Sequence, residues 1–472
     1  MPHDIVFKNA TVIDGTNALP FVADVAVDGD RITAIGTVSN KGSREIEAAD
    51  LVLSPGFIDV HTHDDFALLT TPHMSFKTLQ GVTSVVTGNC GTSAIPFDDW
   101  IEKIGSASPA VNVVPLVGHG SIREHVMGRD NRSSADSREL AEMVSTVEKA
   151  LDTGAAGIST GLVYIPGTYS TREEVESLVR PVAARGGIYT SHIRNEADGL
   201  IASIDEAIDL GRSTGIKVQI SHLKAIGAGN FDKITGAIDS ITAAQTEGLD
   251  VMADQYPYSR GSTQLVQLVE RGAFDGPSPF GHVQGHDVMI AAARQHPEWE
   301  GLTLDVVAES LLMSVPNAAR HVLSVEKDGC MVVYQNQSDD NIEKVLRMDF
   351  VMIGSDGVPF GSRPHPRLHH TFPRVLGEYS RNRGVIPMHT AVHKMTGMCA
   401  SRFLVAGRGT IQVGNFADLV LFDAGTIRDT GTYDDPTTVP VGISEVWVNG
   451  RTVAREGQPT KERPGRLVKT LP

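Results

Sequence analysis

The chain has 472 residues, which is more than one small domain requires. Its contents of 41% hydrophobic and 21% charged residues are typical of a globular protein. Its formal net charge of −16 disfavours nucleic acids and anionic membranes as partners, and no apolar run is long enough to span a bilayer. The 3 cysteines are too few for a disulfide framework, and the first residues lack the features of a signal peptide. We therefore expect a cytoplasmic protein, of an oligomeric state that the sequence does not indicate.

Both ends of the chain have the pattern of short strands separated by turns. Near the start, "DIVFKNATVID" and "VADVAVDGDRITAIG" alternate apolar and polar residues, and near the end "GNFADLVLFD" and "SEVWVNGRTVAREG" do the same. Each set is too short to hold a core alone. We predict one small β-sandwich domain built from residues 1–54 and 406–472, with a larger domain, residues 55–405, inserted between them.

The central part of the chain alternates apolar β-rich runs with amphipathic helices. The runs are "LVLSPGFIDV", "GVTSVVT", "VNVVPLVG", "AAGISTG", "GGIYTSH", "GIKVQISH", "LDVMADQ" and "FVMIGSD". This alternation predicts an α/β fold with a buried parallel sheet, and eight runs predict a (β/α)8 TIM-like barrel. An open doubly wound sheet normally has a glycine-rich loop after its first strand, where this chain has "HTHDDF". The alternation stops at about residues 261–339, which predicts an insertion or lid between the seventh and eighth strands.

Side chains that commonly bind metals end five of these eight runs. His61 and His63 end the first run, and because they are two residues apart in a strand they project from the same face. The other candidates are Cys90 after the second run, His192 after the fifth, His222 after the sixth and Asp356 after the eighth. One such residue would be ordinary, but the C-terminal strand ends of a barrel meet at one mouth. The six together predict a metal site, and their nitrogen, sulfur and oxygen donors favour zinc.

Several motifs resemble the amidohydrolase superfamily and, within it, the D-aminoacylases (N-acyl-D-amino-acid deacylases). "PGFIDVHTH" and "GNFADLVLFD" resemble the superfamily, and "GVTSVVTGNCG", "SHIRNE", "SHLKAIG" and "HPRLHHTFPRVLG" resemble the subfamily. The resemblance implies one tightly bound zinc ion and a second, weaker site. The tight ion would be held by Cys90, His192 and His222, and the weaker site would be formed by His61, His63 and Asp356, with Cys90 able to bridge.

The resemblance implies a small-molecule N-acyl-D-amino acid as substrate, hydrolysed to a carboxylate and a free D-amino acid. Zinc lowers the pKa of a bound water and polarises a carbonyl, and Asp356 is expected to act as general base and then general acid. Arg367 offers a planar fork for the substrate carboxylate, and the resemblance adds Lys224 and Tyr256 as substrate-binding residues. The D preference rests on the resemblance alone. Because no extra basic pair is evident, we expect neutral or hydrophobic side chains on the substrate.

Two alternatives remain at this point. A cyclic-amide hydrolase of the hydantoinase or dihydroorotase type would normally have a carboxylated lysine at the end of the fourth strand, where this chain reads "AGISTGLVY". A non-catalytic metal-binding scaffold would have no need of Asp356 beside the ligands. We expect His365, His369 and His370 to lie in a loop, and His119 to follow the third strand without binding metal.

Overall fold

The computed structural model describes residues 2–128, 131–468 and 470. The strands are β1 His3–Val12, β2 Phe21–Asp28, β3 Arg31–Gly36, β4 Gly42–Glu47, β5 Val52–Pro55, β6 Phe57–Asp59, β7 Val82–Thr87, β8 Asn112–Gly118, β9 Gly157–Gly161, β10 Ile188–His192, β11 Lys217–Ile220, β12 Val251–Gln255, β13 Arg260–Gln264, β14 Val288–Ala292, β15 Met331–Gln335, β16 Val351–Ile353, β17 Leu419–Phe422, β18 Ile443–Val448, β19 Arg451–Arg455 and β20 Gln458–Pro459.

The helices lie mainly between the central strands. They are α1 Ala67–Thr70, α2 Ser75–Thr78, α3 Phe97–Ala107, α4 His119–Met127, α5 Ser137–Thr153, α6 Arg172–Ala184, α7 Leu200–Thr214, α8 Lys233–Thr246, α9 Leu265–Glu270, α10 Leu304–Ser310, α11 Val315–Glu326, α12 Asp339–Leu346, α13 Arg367–Arg374, α14 Met388–Met395 and α15 Gly397–Arg402. A π-helix, Val375–Asn382, continues α13. Among the described residues, no helix has the combination of length and apolarity required to cross a membrane.

The predicted barrel is confirmed. Its eight parallel strands have the order β16-β12-β11-β10-β9-β8-β7-β6, and a parallel bridge between Thr62 and Gly357 joins the first strand to the last. Every residue of β7, β8, β9 and β10 is buried, because helices cover the outside and side chains fill the inside. The carboxyl ends of all eight strands therefore open at one mouth.

The outer helices begin and end where their sequences provide caps. Asp136 and Glu139 form a reciprocal capping box at the start of α5, and Gly154 ends that helix with a φ of 117°. Between these caps, Met143 and Val147 point into the core against the barrel. The amphipathic segments of the sequence thus form a ring of helices whose apolar faces pack against the barrel strands.

A nine-stranded sheet contains strands from both ends of the chain. β5 pairs antiparallel with β17, and Leu53 lies opposite Leu421. The ring of Phe7 in β1 meets the ring of Trp447 in β18 edge-on, with the centroids 4.9 Å apart. β1 and β18 are not neighbours in the sheet, so the contact between their side chains means that the sheet curls. Its two halves face each other across a shared core. The predicted small β domain made from both termini is confirmed.

The segment between β12 and β16 forms a separate layer. β13, β14 and β15 make a three-stranded antiparallel sheet, and helices α9, α10 and α11 pack on it around a core that includes Leu265, Val307 and Val332. Phe280 of this segment lies 6.0 Å from the ring of Tyr164, which follows β9 at the barrel mouth. The insertion therefore borders the mouth of the barrel.

A fully buried ion network lies beneath the mouth. Nζ of Lys77 is 2.7 Å from Oδ2 of Asp59 and 3.4 Å from Oδ2 of Asp64, and it donates a hydrogen bond to Oγ of Ser355. Removing one partner of a buried ion pair leaves an uncompensated charge and typically costs about 3–5 kcal/mol. We expect Lys77→Met to lower the thermal unfolding midpoint by several degrees, as measured by circular dichroism.

The matched control for this prediction is Lys103→Met on the exposed side of α3, which should leave the midpoint unchanged. Equal midpoints for the two variants would show that the buried ammonium contributes nothing to stability.

Candidate metal centre and active site

The barrel brings all six predicted ligands to its mouth. They are His61 and His63 after β6, Cys90 after β7, His192 at the end of β10, His222 after β11 and Asp356 after β16. The backbone N–H of Asp356 donates a 2.8 Å hydrogen bond to the carbonyl of His61. The first and last strands are thereby joined next to the candidate site.

The backbone of three of these residues is left-handed. The φ angles are 53° for Cys90, 38° for His222 and 50° for Asp356. Residues other than glycine rarely adopt this conformation, and it persists only where the surroundings enforce it. At His222, the N–H donates a 2.9 Å hydrogen bond to Oδ1 of Asp254. These turns direct the three side chains inward, across the mouth.

The first cluster is built around the thiol of Cys90. Its Sγ lies 3.2 Å from Nε2 of His61 and 3.7 Å from Nε2 of His222, and the latter nitrogen is 2.9 Å from Nδ1 of His192. Burial raises the pKa of the Cys90 thiol, but the charge of His61 and contacts with His192 and His222 outweigh burial and hold this pKa well below its usual value. A thiolate beside imidazole nitrogens fits a zinc ion.

The second cluster consists of His61, His63 and Asp356, with ligand atoms all within 4.8 Å of one another. Oδ1 of Asp356 is 3.1 Å from Nε2 of His63 and 3.5 Å from Nε2 of His61. Oδ2 is 2.9 Å from Nη1 of Arg367. Burial raises the pKa of Asp356, but Arg367 and His61 outweigh it and hold the pKa well below the usual range. The carboxylate of Asp356 thus lies between two imidazoles and the guanidinium of Arg367.

Two buried carboxylates behind the ligands were missed by the sequence analysis. Oδ1 of Asp254, in β12, lies 3.0 Å from Nδ1 of His61. Glu196, beyond β10, is 3.1 Å from Nε2 of His192 and 3.0 Å from Nδ1 of His222. Two features of the sequence could have indicated them. Asp254 is an acid inside the apolar run "LDVMADQ", and Glu196 lies four residues after a candidate ligand in "SHIRNE".

Of the predicted substrate-binding residues, Arg367 and Tyr256 lie together. The guanidinium carbon of Arg367 is 4.5 Å from the centre of the Tyr256 ring. Arg367 is buried, and its Nε has no hydrogen-bond partner among the described residues. The Tyr256 hydroxyl accepts a 3.1 Å hydrogen bond from Nδ2 of Asn336. Lys224 lies beside them, with Nζ 5.6 Å from the centre of the Tyr256 ring, and it donates a hydrogen bond to Oε1 of Glu196 at 2.6 Å.

The loop prediction for the later histidines is wrong for His369 and His370, which lie inside α13. Pro366 stands just before the helix, where proline is tolerated, and the helix begins at Arg367. His365 precedes the helix, and its Nδ1 accepts a 3.0 Å hydrogen bond from the N–H of Arg367. His119 starts α4 and lies 2.8 Å from Glu174, apart from the ligand clusters.

An eight-stranded α/β barrel with overlapping groups of side chains at its mouth that could hold a metal ion is typical of the class of barrel enzymes that work through a metal centre. The chain belongs to the amidohydrolase family, whose model matches residues 44–185 and 320–454. The family predicted from the motifs is thereby confirmed.

Relatives match over the full length. A D-aminoacylase from Alcaligenes xylosoxydans xylosoxydans is 39% identical over 99% of this chain and 98% of the relative. An N-acyl-D-glutamate deacylase from the same organism is 36% identical over 99% of this chain and 96% of the relative. The solved structure of N-acyl-D-glutamate deacylase from Bordetella bronchiseptica, complexed with zinc and a phosphonate inhibitor, is 35% identical with a TM-score of 0.92, covering 99% of this chain and 100% of that one.

Proposed function

We propose that this protein is a zinc-dependent hydrolase that cleaves the amide bond of N-acyl-D-amino acids. The observation that carries the proposal is the position of Asp356. Its carboxylate lies between the ligand nitrogens of His61 and His63 on one side and the guanidinium of Arg367 on the other. A proton-transfer group is thus placed between a candidate metal site and an anion-binding side chain.

The chemistry divides among the residues as follows. A bound zinc ion supplies a Lewis acid for the amide carbonyl and lowers the pKa of water. Asp356 removes a proton from the attacking water and returns it to the amide nitrogen as the carbon–nitrogen bond breaks. The acyl group leaves as a carboxylate and the nitrogen as the ammonium of the free amino acid, which also takes up the second proton of the water.

The position of Arg367 favours an α-amino acid as the leaving group. In an N-acyl-α-amino acid, a single carbon separates the scissile nitrogen from the carboxylate. The group that protonates the nitrogen and the group that binds the carboxylate must therefore be close, and Oδ2 of Asp356 is 2.9 Å from Nη1 of Arg367. Arg367 can also form the two parallel hydrogen bonds that carboxylates prefer. We base the D configuration of the substrate on the activities of the relatives and not on any interatomic distance in the site.

The surroundings of the ligands support a neutral or hydrophobic substrate side chain. The Tyr164 ring packs edge-on against His192 with the centroids 4.7 Å apart, and Phe280 of the insertion lies beyond Tyr164. This aromatic wall would favour apolar groups. The cyclic-amide alternative is disfavoured because β9, the fourth barrel strand, reads "GISTG" and has no lysine to be carboxylated.

The proposal is tested by a chiral substrate screen. The purified protein, supplied with zinc, is incubated with N-acetyl derivatives of both enantiomers of neutral, hydrophobic and acidic amino acids, and amine release is measured. We expect release from the D series, highest for neutral or hydrophobic side chains. Turnover of hydantoins or dihydroorotate, with none of linear amides, would contradict the proposal.

Zinc retention should depend on Cys90. Cys90→Ala removes the sulfur that faces three imidazoles and should lose most of the tightly bound zinc on purification, as measured by elemental analysis. The matched control is Cys330→Ala, which removes another buried thiol, in the core of the insertion. Full zinc retention by Cys90→Ala would show that Cys90 is only a core residue.

A further inference from the structure

We propose that His365 positions the guanidinium of Arg367 for the substrate carboxylate, and that Tyr433, between β17 and β18, holds His365 in place. Arg367 starts α13, and the first N–H groups of a helix have no partner inside it. Pro366 precedes Arg367 and provides no side-chain cap. Instead, Nδ1 of His365 accepts a 3.0 Å hydrogen bond from the N–H of Arg367. The imidazole of His365 thus fixes the backbone of the residue that carries the guanidinium.

The opposite side of the buried His365 ring is bonded to the insertion. Its Nε2 lies 2.9 Å from the carbonyl oxygen of Arg260, the first residue of β13. A carbonyl can only accept a hydrogen bond and a backbone N–H can only donate one, so the ring is neutral and carries its proton on Nε2. Burial and the charge of Arg367 lower the pKa of His365 well below its usual value, which supports the neutral form. One imidazole therefore joins the start of α13 to the insertion.

Two tyrosine rings confine this imidazole. The ring of Tyr433 meets the ring of His365 edge-on, with the centroids 5.3 Å apart and the planes at 89°. Tyr258 makes a second edge-on contact with His365 at 5.1 Å. The guanidinium carbon of Arg260 lies 4.8 Å from the centre of the Tyr433 ring. Tyr433 therefore contacts both residues that share the hydrogen bond at Nε2, and it brings the small β domain into the support of Arg367.

The side chain of Arg367 depends on this support for its alignment. Its Nη2 donates a 3.3 Å hydrogen bond to the carbonyl of Ser262, which also belongs to β13. Its Nε has no hydrogen-bond partner among the residues that the structure describes. Two parallel hydrogen bonds to a carboxylate require both donors to be aligned with it. A shift of the Arg367 backbone would therefore weaken both hydrogen bonds at once.

The inference rests on the proposed function and is tested by steady-state kinetics of the zinc-supplied protein with two substrates. One is an N-acetyl-D-amino acid with a neutral side chain, and the other is an N-acetyl amine that lacks the carboxylate. His365→Phe keeps a ring between the two tyrosines but loses both hydrogen bonds. We expect KM for the first substrate to rise roughly 10-fold, with a smaller change in kcat. Turnover of the second substrate should hardly change.

Further variants separate the hydrogen bond from the ring contact. In His365→Asn, the side-chain oxygen can accept a hydrogen bond from the N–H two residues further on, so KM should return towards the wild-type value. Tyr433→Ala removes the ring beside the imidazole and should raise KM for the first substrate only. Tyr433→Phe keeps that ring and should behave as the wild type.

The matched control is His393→Phe. His393, in α14, also bonds a backbone carbonyl, that of Gly15 between β1 and β2, at 2.8 Å. This variant loses a hydrogen bond of the same kind and should keep the wild-type KM for both substrates.

A wild-type KM for His365→Phe, or equal slowing of both substrates, would overturn the inference while leaving the proposed function intact. Equal impairment of His365→Asn and His365→Phe would show that the hydrogen bond to Arg367 is not what matters. If His365→Phe does not fold, a wild-type KM for Tyr433→Ala would overturn the inference. A wild-type protein that hydrolyses no N-acyl-D-amino acid would overturn the proposed function itself, and the inference with it.

Discussion

Asp356→Asn should abolish turnover of an N-acyl-D-amino acid while the protein keeps its tightly bound zinc. The amide can neither take the proton of the attacking water nor return it to the leaving amine. Losses of general acid–base catalysis are typically on the order of 10²–10⁴-fold, and we expect a fall in kcat of that size. The zinc should remain because Cys90, His192 and His222 are unchanged and lie on other strands.

Measuring kcat and zinc content on the same preparation separates chemistry from metal loss. A variant that lost its zinc would show that Asp356 is chiefly a ligand of the tight site. Near-normal turnover with zinc retained would refute the hydrolytic mechanism proposed here.

Arg367→Lys should mainly raise KM. The substitution keeps a positive charge but loses the planar fork that holds a carboxylate through two hydrogen bonds. A hydrogen bond to a charged group contributes about 1.5–3 kcal/mol, so the expected rise in KM is roughly 10–100-fold. A smaller fall in kcat should accompany it, because Arg367 also contacts the carboxylate of Asp356.

An N-acyl amine without the carboxylate is the control substrate for this variant. Its turnover should hardly change, since the lost hydrogen bonds were never made to it. If the variant slows both substrates equally, Arg367 is structural, and Lys224 becomes the next candidate for the carboxylate anchor.

Much of the architecture could be predicted because barrel strands are buried on both faces. Runs such as "VNVVPLVG" and "FVMIGSD" are apolar throughout, and turn residues mark their ends. In a parallel barrel, the residues that directly follow each strand lie at the mouth of the barrel. A local pattern was therefore sufficient to bring His61, Cys90 and Asp356, which are far apart in the chain, into one candidate site.

The residues behind the ligands could not be predicted in the same way. Glu196 lies in an irregular segment after β10, and its partners His222 and Lys224 follow a different strand. No periodicity links a loop residue to a ring nitrogen on the next strand. Asp254 stands within a strand, but only the fold shows that it faces His61. The sequence thus predicts what reaches the mouth, and tertiary packing determines how it is held.

The pairing of β5 with β17 has a consequence for synthesis on the ribosome. Val52 lies opposite Phe422, so β5 leaves the ribosome long before the strand that covers its edge has been made. At translation rates of about 5–20 residues per second, that edge stays open for tens of seconds while the whole barrel is produced. Open strand edges invite pairing between chains. The nascent protein is therefore exposed to such pairing until β17 emerges and covers the edge of β5.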